Sequence, residues 1–455
     1  MTTVQDEIKF IDVTVRDGNQ SLWGAAGLRN EMVLSMASTM DKVGFKAIDF
    51  MSSIHMGMSV RHKEDPWERM RGAHKLITNT PYSFGTTGRR FIGFRWMPDS
   101  VTGLVLERMV ANGVRRLWIS EAAHDMNVIH RTAAQAKAAG IAEVVVAFCY
   151  SISPVHTDEY YAQLARETVK SPHVDTVYLK DQGGLLTPER IKTLIPVLQQ
   201  NINSLPLEFH SHCSTGLAPI CYVEAAKLGV RIFHTAVPPL AYGPSLPSIF
   251  NVVKNMRYLG YKTNVDDDAL EVVSKRLKDI ADSQGLQGGS LPEFDVSYYD
   301  HQLPGGMVTT LKRQLTEMKM EHRWGEIVEE VTRVRKELGY PIMVTPLSQF
   351  VGTQSTMNVI SGKRYKQVPE GVLQYAAGWF GKPTVPIDPN VMDKISASPK
   401  AKEFFNKEFP QKSIKELRQE TGVGPNVSDE EFLLRYSMSD KEVDEMLAAS
   451  RAKVA

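Results

Sequence analysis

The sequence has few of the features that mark secreted or membrane proteins. Only three cysteines, Cys149, Cys213 and Cys221, occur in 455 residues, and each lies in or near an apolar run. An odd and small number of such cysteines predicts a reducing compartment and no disulfide framework. No apolar run approaches the roughly 20 residues of a membrane helix, and the N-terminal MTTVQDEIKF is polar and acidic where a secretory signal is basic and then apolar. We therefore expect a cytoplasmic protein that spans no membrane.

An excess of charge of one sign is also missing. The chain has 53 lysines and arginines against 52 aspartates and glutamates, a formal net charge of +1. A nearly neutral chain gives no electrostatic reason to bind nucleic acid or an anionic membrane. At 455 residues it exceeds the roughly 250 residues of one α/β barrel, which predicts one large domain and a smaller one.

The sequence does contain a regular alternation of β-rich runs and helix-like segments. Eight runs predict strands, and each is separated from the next by enough chain for a helix. Strands divided by helical crossovers form a parallel sheet, and eight such units predict an α/β fold of the (β/α)8 TIM-barrel type. The predicted strands are 9–14, 47–51, 90–95, 116–121, 144–150, 176–181, 207–212 and 231–237.

The composition of the chain changes after about residue 261. Segments 266–283 and 307–339 have the pattern of helices with a dense charged face, and 291–306 is rich in proline, glycine and tyrosine. We predict a TIM-barrel catalytic domain over residues 1–265 and a mainly helical C-terminal domain over residues 266–455, packed on the barrel.

Ionisable residues follow several of the predicted strands. In a TIM barrel the active site lies where the strands end, because the loops that follow them converge there. Charged groups in a water-poor barrel mouth need a functional reason. The residues predicted at these ends are Arg16, Asp17, His55, Arg95, Glu121, Tyr150, Lys180, Asp181, His210, His212 and Thr235.

Two histidines in the string FHSHCSTGLA give the strongest chemical signal. His210 and His212 are two residues apart on a predicted strand, so their imidazoles point the same way and both can reach one metal ion. Asp17, in VRDGNQSL, follows the first strand and faces the same mouth. Aspartate with two histidines is a common partial ligand set for zinc, manganese or cobalt. Partly buried or surface histidines, and a surface ion pair between Arg16 and Asp17, are the alternatives that the residues alone leave open.

Lys180 ends the sixth predicted strand and is followed by Asp181. A lysine ammonium group repels a metal ion, so Lys180 is a ligand only as a carbamate formed with carbon dioxide, which turns the cation into an anion. A salt bridge to a neighbouring carboxylate is the alternative reading of this dipeptide.

Eight strings, in the same order along the chain, resemble the biotin-dependent carboxyltransferase family. This family includes the carboxyltransferase domain of pyruvate carboxylase, the oxaloacetate decarboxylase alpha subunit and the matching transcarboxylase subunit. The strings run from about residue 10 to residue 385 and cover both predicted domains. They are VRDGNQSL, EDPWERMR, YSISPVHTDEYY, LKDQGGLLTPERIKTLIP, FHSHCSTGLAP, LPGGMVTTLKRQL, VRKELGYPIMVTPLSQFVGTQ and NVISGKRYK.

The resemblance implies a role for each residue that matches a family motif. It makes Asp17, Lys180 as its carbamate, His210 and His212 the ligands of a divalent metal. Arg16 and Gln20 then hold the carboxylate of a 2-oxo acid of the pyruvate or oxaloacetate type, and the metal stabilises its enolate. The expected activity is carboxyl transfer or decarboxylation, with Arg16, Gln20 and Lys180 as the catalytic residues.

The substrate wall departs from the family pattern. Pro244, in YGPSLP, stands where the family has a threonine that shuttles a proton between biotin and the enolate, and proline has no proton to move. Thr87 stands where the family has a substrate-binding arginine, and of Arg89 and Arg90, on opposite strand faces, only one is able to replace it. The predicted substrate-binding residues are Arg16, Gln20, His55, Thr87, Glu121 and Pro244.

The use of biotin is open. No biotinyl domain is expected after residue 455, so a biotin step would need a carrier on a separate chain. Met318-Lys319-Met320 looks like a biotin attachment site but lies in a helical run, which predicts a lysine on a helix surface. A biotin-independent C–C lyase or aldolase, favoured by Pro244 and Thr87, and a non-catalytic binding subunit are the alternatives. The resemblance also implies a homo-oligomer.

Overall fold

The structure, a computed structural model, describes residues 6–405 and 409–454. Eight strands form a closed parallel barrel, in which each strand pairs with the next and the first pairs with the eighth. The predicted TIM barrel is confirmed. Its strands are β1 Glu7–Asp12, β2 Ala47–Ser52, β3 Tyr82–Thr86, β4 Arg116–Ile119, β5 Glu143–Cys149, β6 Thr176–Asp181, β7 Leu207–Ser211 and β8 Ile232–Thr235, and a short β9, Lys262–Thr263, extends the edge of β1.

Helices connect the strands and cover the outside of the barrel. Side-chain caps mark several of their N-termini: Thr187 accepts the Arg190 amide at the start of the helix that follows β6, with Pro188 in its first turn. The helices of this part are α1 Asn19–Trp23, α2 Asn30–Met40, α3 Ser53–Arg61, α4 Pro66–Leu76, α5 Asp99–Ala111, α6 Met126–Ala139, α7 Asp158–Thr168, α8 Pro188–Asn201, α9 Ala218–Lys227 and α10 Ile249–Tyr258.

The remainder of the chain is helical, as its charged amphipathic pattern predicts. Within the described residues, no helix has both the length and the apolarity to cross a membrane. The helices are α11 Asp267–Gln284, α12 Tyr298–His301, α13 Gly305–Glu317, α14 Trp324–Glu337, α15 Leu347–Ser361, α16 Glu370–Ala376, α17 Pro389–Ser396, α18 Ala401–Phe405, α19 Ile414–Glu420, α20 Asp429–Ser437 and α21 Asp440–Val454.

The helices of this region contribute to two separate hydrophobic cores. Leu277 of α11 and Phe432 of α20 belong to the same core as the barrel. A second core lies among helices α13 to α18 and includes Ala122 and Cys149 from the barrel. Helices α11 and α20 therefore pack on the barrel, while α13 to α18 form a layer with an interior of their own. The boundary at residue 265 stays a prediction.

The third strand lies earlier in the chain than the sequence pattern predicts. β3 is Tyr82–Thr86, and the predicted segment 90–95 belongs to the loop that follows it. The string YSFGT alternates the large residues Tyr82 and Phe84 with small ones. Gly85 leaves room for the neighbouring strand, since a Cβ there would lie 1.9 Å from the side chain of Trp118 on β4. The prediction of a strand at 90–95 is wrong.

The tripeptide Met318-Lys319-Met320 also differs from expectation. Segment 307–339 is not one helix, because the chain turns between α13 and α14, and Lys319 has φ +58° in that turn. The prediction of a helix-surface lysine is wrong. The turn joins two helices, so it is not the strand hairpin of a biotin attachment site either.

Candidate active site

A cavity of about 430 Å³ opens at the carboxyl ends of the barrel strands. Its barrel side carries the charged groups, and its opposite side is formed by the start of α13 and by α15. This is the end of the barrel where TIM-barrel enzymes place their active sites. The polar residues that line it are Arg16, Asp17, Gln20, Ser21, Ser52, Ser53, Thr87, Ser120, Lys180, Gln182, His212, Gln314, Thr345, Gln349 and Thr353.

Three buried side chains converge at the floor of this cavity. The Asp17 Oδ2 atom lies 3.4 Å from His210 Nε2 and 3.5 Å from His212 Nε2. Asp17 lies in a π-helical turn directly after β1, and the histidines lie at the end of β7. The three side chains offer ligand atoms within 4.8 Å of one another. The structure therefore brings together three of the four predicted metal ligands.

The geometry of these atoms fits a divalent metal. Both imidazole Nε2 atoms are buried, and across residues 6–405 and 409–454 neither has a hydrogen bond of good geometry; Asp17 Oδ2 lies 3.4 and 3.5 Å from them. A buried polar atom without a bonding partner lowers the stability of the folded state by about 1–3 kcal/mol. A bound metal ion would provide the missing partner for both Nε2 atoms. Bonds of about 2.1 Å in a tetrahedral site separate ligand atoms by about 3.4 Å, which is the spacing found between Asp17 and the two histidines.

The charge states of Asp17 and His210 suit metal binding. Burial raises the pKa of Asp17, but opposing effects, of which the neighbouring Arg16 guanidinium is the largest, hold this pKa well below its usual value. Burial also holds the pKa of His210 well below its usual value. Asp17 is therefore an anion and His210 a neutral imidazole, the forms in which they ligate metals.

Lys180, the fourth predicted ligand, lines the same cavity. Its Nζ lies 4.5 Å from the centroid of the Trp118 ring and forms no hydrogen bond or ion pair within the described part of the chain. Asp181 does not form the alternative salt bridge, because it accepts the amides of Leu185 and Leu186, at 2.8 and 2.9 Å, and the hydroxyl of Ser211. Burial, together with Arg16, lowers the pKa of Lys180.

Arg16 and Gln20, the predicted carboxylate-binding pair, both line the cavity. Arg16 donates through Nε to Asp49 at 2.6 Å, and its Nη2 lies 2.9 Å from Asp17. Asp49, on β2, also accepts the indole N–H of Trp118 at 2.8 Å. Gln20 makes no side-chain hydrogen bond with any described residue. Asp49 was missed by sequence reasoning, although an acid inside the apolar strand AIDFMS was a signal.

The wall around Thr87 has no arginine in the position that the family pattern suggests. Thr87 lines the cavity, but Arg89 and Arg90 do not. Arg89 donates to the Met97 carbonyl oxygen at 3.1 Å and pairs with Asp99. Arg90 donates to the Trp379 carbonyl oxygen, and its guanidinium lies 4.1 Å from the Phe380 ring centroid. Both arginines are thus held behind the wall, on a loop and not on opposite faces of a strand.

His55 and Glu121 are close to the site but do not line the cavity. His55 is buried in α3, and its Nδ1 lies 3.0 Å from the Ser52 hydroxyl. Glu121 accepts the backbone amides of Ala123 and Asp125, at 3.0 and 2.6 Å. Burial raises the pKa of Glu121 to about 7. The structure places these two predicted substrate-binding residues in the layer behind the cavity wall.

Pro244 contacts the site through its backbone. Its carbonyl oxygen accepts a hydrogen bond of 2.6 Å from His212 Nδ1. An imidazole that donates through Nδ1 presents its Nε2 lone pair, here toward Asp17. The proline ring has no proton to move, but the carbonyl of the same residue orients one of the candidate metal ligands.

Sequence reasoning also missed the helical wall of the cavity. Gln314 on α13 and Gln349 on α15 face the barrel mouth. They are more than a hundred residues from His212 in sequence, and no local pattern distinguishes them from other polar residues on amphipathic helices. A buried ion pair between Arg116 and Glu208 inside the barrel was missed as well.

Comparison with known proteins identifies the relatives of this chain. Residues 298–454 match the conserved carboxylase domain. The chain is 35% identical over 390 residues to a subunit of pyruvate carboxylase from Methanocaldococcus jannaschii, covering 85% of this chain and 68% of the relative. It is 30% identical over 390 residues to the methylmalonyl-CoA carboxyltransferase 5S subunit of Propionibacterium freudenreichii subsp. shermanii, covering 85% and 76%.

A solved structure has the same fold. The carboxyl transferase domain from Rhizobium etli pyruvate carboxylase with pyruvate superposes with a TM-score of 0.87 at 22% identity, covering 98% of this chain and 78% of that domain. The identity is too low for that likeness to bear on more than the fold. The relatives in sequence carry the assignment: the chain belongs to the biotin-dependent carboxyltransferase family.

Proposed function

We propose that this chain is a metal-dependent carboxyltransferase or decarboxylase that acts on a 2-oxo acid of the pyruvate or oxaloacetate type. The observation that carries the proposal is the convergence of Asp17, His210 and His212 at the floor of the cavity, which Lys180 also lines. Among the described residues the Lys180 amine has no hydrogen-bond or ion-pair partner. The names of the relatives support it, since they include a pyruvate carboxylase subunit and the 2-oxoglutarate carboxylase large subunit. The word subunit in those names supports a biotin carrier on a separate chain.

The proposed metal ligands are Asp17, His210, His212 and Lys180 as its carbamate. Zinc, manganese and cobalt suit this mixed nitrogen and oxygen set. When bound, the metal supplies a Lewis acid that polarises the 2-oxo carbonyl group and stabilises the negative charge of the enolate. Carbamate formation on Lys180 removes its positive charge and adds an anionic oxygen ligand.

Arg16 and Gln20 are proposed to bind the substrate carboxylate. Arg16 is oriented by Asp49 and Asp17, so its guanidinium is fixed before substrate arrives. The unengaged amide of Gln20 supplies a second donor. Fixed donors of this kind hold the 2-oxo acid with its carbonyl toward the metal ligands at little entropic cost.

The helical wall is proposed to exclude water from the reaction. Pro304, Gly305 and Met307 line the same cavity as Lys180. A dry site protects the basic enolate carbon from protonation by solvent, so that it reacts with a carboxyl carbon instead.

The direct test is metal analysis of the purified protein together with a carboxyl-transfer assay. We expect about one divalent metal per chain, which is lost in Asp17→Ala and in His210→Ala together with oxaloacetate decarboxylation. If both variants keep the metal content and every 2-oxo acid activity of the wild type, the proposal is wrong.

A biotin-independent metal-dependent lyase or aldolase is the second candidate. The observation that favours it is the neutral wall at Thr87, from which Arg89 and Arg90 are turned away, and the absence of a side-chain proton at Pro244. Oxaloacetate decarboxylation distinguishes the two candidates. Stimulation by free biotin or by a biotinylated carrier supports carboxyl transfer, whereas a rate that biotin leaves unchanged supports the lyase.

A non-catalytic binding subunit is the third alternative from the sequence. A wild-type chain that binds metal and 2-oxo acid but turns over neither pyruvate nor oxaloacetate, with or without a biotinylated carrier, would support it. The homo-oligomer and the cytoplasmic location stay predictions.

A further inference from the structure

A chain of buried polar side chains runs through the interior of the barrel and ends at His210. His210 Nδ1 lies 3.2 Å from Nδ1 of His234 on β8, and His234 Nε2 lies 3.0 Å from a carboxylate oxygen of Glu208 on β7. Arg116 on β4 reaches across the barrel and donates through Nη2 to both Glu208 oxygens, at 2.6 and 2.5 Å. None of the four residues is more than 2% exposed. This level of the barrel interior is therefore polar and continuously hydrogen-bonded.

The direction of each hydrogen bond follows from the Arg116 end of the chain. A guanidinium only donates, so the Glu208 carboxylate accepts. Glu208 also accepts from His234, so His234 carries its proton on Nε2. A neutral His234 then has a lone pair on Nδ1, and the proton between the two Nδ1 atoms belongs to His210. His210 is left with a lone pair on Nε2, the atom that faces Asp17.

We propose that Glu208 and His234 are positioning residues that set the tautomer and ring orientation of His210 for metal ligation. The inference rests on the metal site of the proposed function. A metal-ligating histidine commonly donates its other N–H to an acceptor. For His212 that acceptor is a carbonyl oxygen, which can only accept. For His210 it is a second imidazole, which becomes an acceptor only because Glu208 fixes its tautomer.

The ring of His234 is also held in place by packing. Tyr178 stacks on it with ring centroids 4.8 Å apart and an angle of 20° between the planes. A purely structural ion pair between Arg116 and Glu208 would require neither this imidazole nor its contact with His210. A positioning role for Glu208 and His234 therefore predicts that changing either residue alters the tautomer or orientation of the His210 ring, whereas a purely structural role does not.

The test substitutes Glu208→Gln, which keeps the side-chain shape. Arg116 Nη2 contacts both oxygen positions, but the Lys46 ammonium lies 3.5 Å from Oε1, so the amide oxygen will take that position. The amide N–H group will then face His234 Nε2 and reverse the proton positions along the chain. His210 then carries its proton on Nε2, where it blocks the metal. The matched control is Glu143→Gln, because Glu143 also accepts from Arg116, at 3.0 Å, but has no hydrogen bond to His234.

Two readouts are needed, and neither is catalytic activity. The first is the 15N NMR spectrum of the metal-free protein with labelled histidines, which reports the tautomer of His210. The second is the affinity for Co²⁺ alone, measured by chelator competition and by the visible absorption of the bound ion. We expect the Nδ1–H tautomer in the wild type and in Glu143→Gln. In Glu208→Gln we expect the Nε2–H tautomer and a loss of about 10- to 100-fold in affinity.

A second variant keeps the proposal testable if Glu208→Gln does not fold. His234→Phe preserves an aromatic ring against Tyr178 and removes the acceptor for His210, so it should weaken Co²⁺ binding in the same direction. The proposal is overturned if folded Glu208→Gln or folded His234→Phe keeps both the wild-type affinity and the Nδ1–H tautomer, or if wild-type His210 is the Nε2–H tautomer. A wild type with the Nδ1–H tautomer that binds no metal contradicts the proposed function instead.

Discussion

Lys180 is a buried amine that has no counter-ion in the described part of the chain. Holding an ammonium group in such a place is costly, and burial beside Arg16 accordingly lowers the pKa of Lys180. The free amine is the form that reacts with carbon dioxide, and the resulting carbamate is an anion beside Asp17 and the two histidines. The position is thus unfavourable for an ammonium group, which supports the proposal of a carbamate that binds a metal together with Asp17 and the histidines.

Lys180→Ala is expected to lose bound metal and activity together, because the proposed site uses the carbamate oxygen of Lys180 as a ligand. A small carboxylate such as formate, which fits the space left by the side chain, is expected to restore part of both. Metal content and oxaloacetate decarboxylation, measured with and without formate, check this expectation. Full metal content in Lys180→Ala without added carboxylate would show that Lys180 is not a ligand.

At the scale of the elements, the loop between β4 and α6 contains a second ionisable group with a shifted pKa, the carboxyl group of Glu121. Burial raises the pKa of Glu121 to about 7, above the ordinary value of 4.5, although two backbone amides donate to it. The folded state then binds a proton that the unfolded state releases between about pH 4.5 and 7. Stability from this group is therefore present below pH 4.5 and is lost as the pH rises toward 7.

Glu121→Gln should remove this pH dependence, because the amide oxygen still accepts the two backbone amides but does not ionise. Between pH 5.5 and 8 the wild type is expected to lose about 2 kcal/mol more unfolding free energy than the variant does. Denaturant unfolding at the two pH values measures the difference. Glu293→Gln, at an exposed carboxylate, is the control, and equal losses in wild type and Glu121→Gln would contradict the assigned pKa.

Element by element, the barrel was predictable where strands have a strong local pattern. The apolar runs of β5, β6 and β7 identified those strands, and the period of two along β7 correctly placed His210 and His212 together. β3 was not predictable from its local sequence. It contains Gly85, which is unfavourable in a strand but is needed here because the Trp118 ring of the neighbouring strand occupies the space of a side chain. Because β3 ends at Thr86, Arg89 and Arg90 lie in the loop after it and do not line the substrate cavity as predicted.

In the whole molecule, the site is formed between two parts of the chain. The barrel supplies Asp17, Lys180 and the histidines, and the start of α13 packs against the loop after β8. A Cβ at Gly305 would lie 2.3 Å from the Pro244 Cβ, so this contact has no spare room. Pro244 in turn orients His212. The helical region therefore buttresses a candidate metal ligand as well as covering the cavity.

Gly305→Ala is expected to displace the Pro244 loop and so to weaken metal binding, by about 10-fold if the His212 hydrogen bond is lost. Gly306→Ala is the matched control, since a Cβ there would find its nearest atom at an ordinary contact distance of 3.6 Å. Competition with a chelator measures both affinities. Equal metal affinities in the two variants would contradict this coupling.

The long-range part of this arrangement was not predictable from sequence. Family strings identified the barrel mouth and the four proposed ligands, because those residues lie in short motifs. The carbonyl of Pro244, the carboxylate of Asp49 and the Glu208–His234 pair act through distances between segments that are remote in sequence. Their roles depend on the closed barrel and on the helices packed across its mouth.

Asp17, His210, His212 and carbamylated Lys180 are proposed to hold one divalent metal. An anomalous diffraction map collected at the metal absorption edge, from crystals grown at neutral pH with bicarbonate, tests it most directly. We expect one peak bounded by these four side chains, with electron density for a carboxyl group on Lys180 Nζ. A map with no peak there and a bare lysine amine would contradict it.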